Sequence, residues 1–380
     1  MIKKLFFIPF ILLLLLRVDS GKAQNLLTDK VSQQTMLKAL QRIYNWEFAQ
    51  ANQIIASLPP SYSNHPSYYL LKALVLHWQY LPLEKSHPQF AAYEKLLNRC
   101  AKLSEARLKA NKKDVEGIFF KLMAYGLKAL AEVETGSLRS AVSHGRRAYR
   151  AIKQGFKKTD DFSEFYFSTG LYRYYAKQFP QSRPIIKPFM VFFPSGDKNK
   201  GLAHLRTATQ KALFTRQESW VFLGDIYLKY EANIYQASLA FAHLTNTFPK
   251  NPFFALKYAE CLVHLERYYE AQNYFARFKL QSLPVYRVGS LTLKGMIAER
   301  LQKNDKQAQM LYQQAIRIKG FDQRYSRDYR ALAKAGLARI AAKKTDKQSQ
   351  KTAKELYKQA RKHTEYEWLK KVIKKALKAL

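Results

Sequence analysis

Cysteine is almost missing: 380 residues contain two, Cys100 and Cys261. That excludes a scaffold stapled by several disulfides, and there is no CxxC pair for zinc or thiol exchange. Both sit in helical, apolar stretches 161 positions apart, a context that favours two buried thiols over a bridge. Acidic residues are also few, 28 against 65 lysines and arginines, for a formal charge of +37. Long apolar runs are lacking. The longest, Leu5 to Leu16, has twelve residues and is broken by Pro9; a spanning helix needs about 20. The sequence has no HExxH, no GxSxG and no GxxxxGK loop, so the common frameworks for metal hydrolysis, acyl transfer and phosphate cradling are absent. The eight histidines are scattered without metal-ligand spacing. His77, His144 and His243 read as hydrogen-bonded residues at helix contacts. Glu47, Glu231 and Glu270 stand near helix junctions and read as partners for surplus lysines. Ser195 and Lys198 have S-x-x-K spacing without the companion motifs that make it catalytic. No catalytic, cofactor-binding or metal-binding residue is expected.

What is present begins with a targeting signal. Lys3 and Lys4, the apolar run, and small residues at Gly21 and Ala23 form the three parts of a secretory signal peptide over 1–23. The alternative is an uncleaved anchor. Export to the periplasm or the outer-membrane periphery is therefore expected. The first 23 residues carry four cations against Asp19, which leaves the remainder at +34. Such a field attracts polyanions or anionic lipid headgroups; equally, it can be a solvated basic surface.

The chain repeats itself at a spacing near 34. Ala237, Phe241 and Leu244 recur as Ala271, Phe275 and Phe278, then as Ala308, Tyr312 and Ala315, and again as Ala353, Tyr357 and Ala360. Upstream of each set stands a small residue: Gly224, Ala259, Gly295 and Gly336. Steps of four and three place each set on one helix face. The upstream small residue lets a second helix cross closely, and the bulky residue fills the gap left beside it. One such pair cannot bury its face alone, so neighbours must stack. Helix pairs are expected at 30–57, 67–108, 115–155, 162–214, 217–247, 252–280, 285–318 and 326–362, with a last helix from Thr364.

The run Trp220, Leu223, Gly224, Tyr227, Ala237, Phe241, Leu244 and Pro249 resembles the tetratricopeptide repeat (TPR) family, with one extra residue in the turn. The 252–284 repeat matches without insertion, although Ala255 stands where the family has tryptophan. The third and fourth repeats are looser, and traces such as Ala51, Ile55 and Leu58, or Ala141, Gly145 and Ala148, carry the pattern toward the N-terminus. A second likeness over 115–250 is to the tetratricopeptide-repeat-protein-thirty-nine group and its exported bacterial relatives. The resemblance implies an all-α, TPR-like right-handed superhelical solenoid of about eight helix pairs with a C-terminal capping helix. It implies degenerate repeats over 24–160, a pair with an insertion at 161–216, repeats over 217–363 and a cap at 364–380. It further implies an adaptor with no catalytic residues.

Two segments depart from the repeat. Residues 178–197 hold Pro180, Pro184, Pro188 and Pro194 around the apolar run Phe189 to Phe193. Pro180 is expected to stop the preceding helix, Pro184 and Pro188 to keep the chain extended, and Asp197 to cap the next helix. This insertion either contributes to a partner site, with Tyr172, Tyr175, Phe179, Arg183, Lys187 and Phe192 in contact, or plugs the groove as core. At the C-terminus, Thr364 and Glu367 have capping-box spacing. The helix after them is amphipathic, with Trp368, Leu369, Val372 and Ile373 on one face and five lysines on the other. It serves as an end cap or lies on an anionic surface. The sequence thus points to non-covalent binding of a protein or peptide partner in the cell envelope, with polyanion or membrane-surface binding as the alternative.

Overall fold

The computed structural model describes residues 25–81, 83, 85–134, 138–159, 161–182, 187–190, 193–277, 284–318 and 324–380. These form helices and turns, with no strand among them. The expected signal segment, and residues 183–186 and 191–192 of the insertion with Pro184 among them, lie outside the described residues.

Among the described residues, eight antiparallel pairs follow one another. The first four are α1 (Lys30–Tyr44) with α2 (Phe48–Ala56), α3 (Pro66–Gln79) with α4 (Phe90–Ala110), α5 (Val115–Glu134) with α6 (Leu138–Gly155), and α7 (Phe165–Ser182) with α9 (Lys198–Lys211). The short α8 (Lys187–Met190) lies between the last two. Then come α10 (Arg216–Lys229) with α11 (Ile234–Thr247), α12 (Pro252–His264) with α13 (Tyr268–Arg277), α14 (Pro284–Arg300) with α15 (Asp305–Arg317), and α16 (Arg324–Ala342) with α17 (Lys347–His363). A final helix, α18 (Glu367–Ala379), ends the chain. The fold is an all-α, TPR-like solenoid.

The small-and-bulky pattern does what the spacing requires. A Cβ on Gly224 would meet the Phe241 ring at 2.7 Å, and one on Gly295 would meet the Tyr312 ring at 2.7 Å. A Cβ on Gly336 would meet the other edge of the same tyrosine at 2.3 Å. Tyr312 is therefore clasped between two glycines of successive first helices, α14 and α16. Its hydroxyl donates to Glu299 at 2.7 Å, and Glu299 also receives Arg339 at 2.8 Å. With both sides of the ring occupied, Gly336→Ala forces the tyrosine off its rotamer. Thermal unfolding is expected to show a loss of about 1–3 kcal/mol, relieved when Tyr312→Leu is added.

The turns inside the pairs repeat as well. Trp46, Ala232, Glu266 and Lys303 all adopt positive φ, between 52° and 61°, each between the two helices of a pair. The residue after Trp46 and after Glu266 returns its N–H to a carbonyl five positions back, Glu47 to Arg42 and Arg267 to Leu262, each at 2.9 Å. This is the Schellman closure of a helix end, made here without glycine.

Two expectations about the insertion are corrected. The helix α7 runs through Pro180 to Ser182. Pro180 lacks only the N–H that would bond the Ala176 carbonyl, and the helix ends two residues later; there the Ser182 hydroxyl donates to the Gln178 carbonyl at 3.1 Å. Pro188 is not in extended chain: it occupies the second position of α8, where its missing amide has no helical partner to lose. Asp197 caps α9 as expected, accepting the Lys200 N–H at 3.0 Å. Gly170 and Gly201 mark the crossing of α7 and α9, where a Cβ on Gly170 would lie 2.9 Å from Leu205.

The stack curls until its start meets its middle. Asn251 caps α12 by accepting the Phe253 N–H at 2.9 Å, and its amide donates to the Tyr44 carbonyl at 2.8 Å. Lys250 reaches Glu47 at 2.6 Å. Trp78 packs edge-on against Phe253 and Phe254, with ring centres 6.0 and 5.4 Å apart. The first two pairs thus dock on the turn between α11 and α12.

Candidate functional site: an inner groove holding the chain's own C-terminal segment

Three first helices among the last four pairs, α10, α12 and α16, face the segment between α17 and α18, which fills the space between them as in an inner groove. Two of them present charge to it one helical turn apart, Asp225 with Lys229 on α10 and Lys257 with Glu260 on α12, because steps of three and four share a face. Asp328 on α16 completes the set. Lys229, Lys257, Glu260 and Asp328 are buried, Glu260 fully and Lys229 to 2% exposure, and Asp225 is half-buried. Lys257 lies 3.1 Å from Glu260 and 3.8 Å from Asp225. Lys229 lies 3.6 Å from Asp225 and 3.9 Å from Asp328. Burial works against the Lys257 charge, but the Glu260 and Asp225 carboxylates outweigh it and hold the ammonium protonated beyond the usual lysine range. Burial pushes the Asp328 carboxyl up, against the pull of Lys229.

The occupant of this groove is the link between α17 and α18. Asp328 accepts the Thr364 hydroxyl at 2.9 Å and the Glu365 backbone N–H at 2.7 Å. Glu365 lies 4.0 Å from Lys229 and accepts the Tyr230 hydroxyl at 3.3 Å. Tyr366 is fully buried and donates its hydroxyl to Glu260, which also accepts Tyr329 at 2.7 Å. Trp368 stacks on Tyr366 and meets the His264 ring at 4.8 Å. Burial holds His264 neutral, with its pKa lowered to about 4. The expected capping box does not form: Thr364 spends its hydroxyl on Asp328 and accepts only the Tyr366 N–H at 3.0 Å, while Glu367 pairs with Lys370 at 2.9 Å. As an end cap, α18 buries Leu369 and Ile373 and leaves Val372 52% exposed.

The residues expected to touch a partner are not gathered at one place. Tyr175 and Phe179 stack at 4.6 Å on the groove side of α7, and Tyr175 also meets Phe222 and Tyr230 at 6.5 and 6.1 Å. Through Tyr230, which donates to Glu365, they adjoin the same segment. Tyr172 faces the other way: it stacks on Tyr149 at 5.0 Å and donates to the Pro194 carbonyl at 2.8 Å. Positions 172 and 175 are only about 60° apart around the helix, so the contacts with Tyr149 and Pro194 on one side and Phe222 and Tyr230 on the other set the two rings in different directions. Lys187 is exposed on α8. Arg183 and Phe192 lie outside the described residues, and so does most of the Phe189 to Phe193 run. The groove ions were missed in the sequence because Asp225, Lys229, Lys257 and Glu260 look there like ordinary solvated helix charges.

Other groups serve structure. Glu47, Glu231 and Glu270 pair with Lys250, Lys198 and Arg267 at 2.6, 3.3 and 2.6 Å. Cys100 and Cys261 are buried free thiols, and burial pushes Cys100 up to about 12. Burial likewise lowers His77 to about 4. No group of three His, Cys, Asp or Glu among the described residues could hold a metal ion. No helix among them is long and apolar enough to cross a membrane. A separate cavity of about 360 Å³ lies between α4, α5 and α6, lined by Glu105, Lys121, Tyr125, Arg147 and Arg150.

One titration falls on the closure. Tyr44 donates its hydroxyl to Glu218 at the start of α10, and burial raises that carboxyl from 4.5 to about 8. A raised folded-state pKa gives stability that is complete below the unfolded value and is lost as pH rises through the folded one. The melting temperature is expected to fall between about pH 4.5 and 8 and then level; Glu218→Gln should remove that component in scans from pH 5 to 9.

No family model matches the chain, and no curated protein matches it. Among solved structures, the human IFIT1 dimer with PPP-AAAA aligns over 92% of this chain and 95% of that one, at 15% identity and a TM-score of 0.38. An IFIT1 monomeric mutant with Gppp-AAAA aligns over 85% of this chain and 79% of that one, at 14% identity and a TM-score of 0.35. Nothing about ligands passes from either to this chain.

Proposed function

We propose that the protein is a non-enzymatic TPR-type scaffold that binds a segment of a protein partner along its inner groove, and that it works in the cell envelope. The observation that carries this reading is the groove's grip on residues 364–366. Asp328 accepts a main-chain N–H, and the carboxylate of Glu365 and the hydroxyls of Thr364 and Tyr366 each have a partner on a first helix. A wall built this way reads polypeptide. The aromatic rings of Tyr175, Phe179 and Phe222 extend it with contact area that costs little rotamer entropy. The export part rests on the signal-like residues 1–23. A photo-reactive phenylalanine analogue at Phe222 tests the groove. It should yield a discrete protein adduct in envelope fractions that the same group at Tyr235, exposed on α11, does not give; equal labelling at both positions would end the proposal.

Polyanion binding is the second reading, favoured by the cavity at Lys121, Arg147 and Arg150. Affinity for single-stranded DNA should then fall by roughly 0.7 log units per log of salt for each phosphate contacted. Absence of binding at low salt removes it.

A further inference from the structure

Resting on the groove reading above, we propose that the groove selects partner segments of the form hydroxyl residue, glutamate, tyrosine, and that the resident 364–368 segment holds the site until such a segment displaces it. Each subsite has its own chemistry. Asp328 takes a hydroxyl and the next N–H together, at 2.9 and 2.7 Å, which fixes the direction of the chain and asks for threonine or serine first. Lys229 and the Tyr230 hydroxyl converge on the following carboxylate. Glu260 waits for a tyrosine hydroxyl, and the Lys257 ammonium lies 6.0 Å from that ring's centre. A phenylalanine would leave an acceptor of Glu260 short of a donor in a place closed to water, which is a strong ground for discrimination.

The resident segment is imperfect where the next residues follow. Trp368 Nε1 is buried without a hydrogen-bond partner, and so is Nε2 of His264, whose ring it faces. The last helix buries Leu369 and Ile373, with Trp368, Ala376 and Leu377 partly buried against the core, and Val372 is 52% exposed. A partner segment that repeats the hydroxyl, glutamate and tyrosine, and brings an acceptor oxygen toward His264, makes the same bonds without burying an unsatisfied indole. The resident link is thus a tethered ligand of moderate fit, whose advantage is its effective concentration.

The test uses the full chain and a fluorescent peptide copying residues 362–369. Tyr366→Phe removes one hydroxyl from the resident segment and keeps its packing. The peptide is expected to bind this variant at least fivefold more tightly than the unaltered chain, and a peptide with phenylalanine in place of its tyrosine should bind at least tenfold more weakly. Lys229→Met should abolish the preference for glutamate over glutamine in the peptide. Hydrogen exchange of the unaltered chain, which needs no variant to fold, should show 365–379 opening faster than α16 and faster still with saturating peptide. Equal peptide affinity for both chains, or exchange over 365–379 unmoved by peptide, would overturn the proposal. If the photo-reactive group at Phe222 still captures a partner in that case, groove binding stands and only the displacement idea falls.

Discussion

Lys257→Met is expected to unfold the C-terminal half of the solenoid well below the melting temperature of the unaltered chain. Lys257 lies 3.1 Å from Glu260, which is fully buried on α12. Removing the ammonium strands a carboxylate among Tyr329, Tyr366 and the main chain of the groove. Breaking one partner out of a buried pair costs about 3–5 kcal/mol, because the remaining charge has neither water nor counter-ion. Adding Glu260→Gln should recover most of the loss. The amide carries no charge, and its oxygen still accepts a tyrosine hydroxyl. Chemical denaturation of the four chains of this cycle measures the coupling. A single variant that loses under about 1 kcal/mol would mean that the pair does not hold the groove together.

The sequence disclosed the architecture because its signal is local. Gly224 with Phe241, and Gly295 and Gly336 with Tyr312, each record a close crossing within or between adjacent pairs, and a spacing of 34 can be seen without knowing where the helices go. The helix ranges followed for the same reason. Tertiary curvature left no such trace. Nothing near Asn251 announces that its amide will meet Tyr44, because that contact depends on the summed rotation of several pairs. The positive-φ turns escaped as well, since Trp46, Ala232, Glu266 and Lys303 occupy a position where glycine would have been the usual marker. The candidate site was legible in one part. Tyr175 and Phe179 adjoin the groove segment through Tyr230, but Tyr172 faces α6, and the ionic centre reads in sequence as surface charge. Thr364 and Glu367 show the limit of a motif: the spacing of a capping box is there, and Asp328, distant in sequence, takes the hydroxyl instead.

Trp78→Ala is expected to open the molecule at its other joint. The indole is buried on α3 against Tyr44, Phe253 and Phe254, with ring centres 5.4 to 6.0 Å apart. Truncating a buried tryptophan costs about 3–5 kcal/mol, and here the loss is concentrated where α1 and α3 dock on the turn before α12. Of the polar contacts left at that seam, the Tyr44 hydroxyl on Glu218 depends on the same packing around Tyr44, and the other two are too weak to replace the indole. Lys250 is largely exposed on its bond to Glu47, so solvent screens that pair. Asn251 can keep capping α12 through Phe253 and Phe254 after it has let Tyr44 go. The repeats themselves retain their stacking, because each first helix still buries its own second helix. The expected result is therefore separation without general melting: a larger radius of gyration in solution scattering, helix content by circular dichroism close to that of the unaltered chain, and faster hydrogen exchange confined to α1–α3 and the 248–254 turn. Because Phe254 and Lys257 share α12, loss of the docking contact should also loosen the groove's ionic cluster from its far end. The variant should then admit the 362–369 peptide more readily than the closed chain does, and a closed-size particle with unchanged exchange would show that the curl does not depend on this ring.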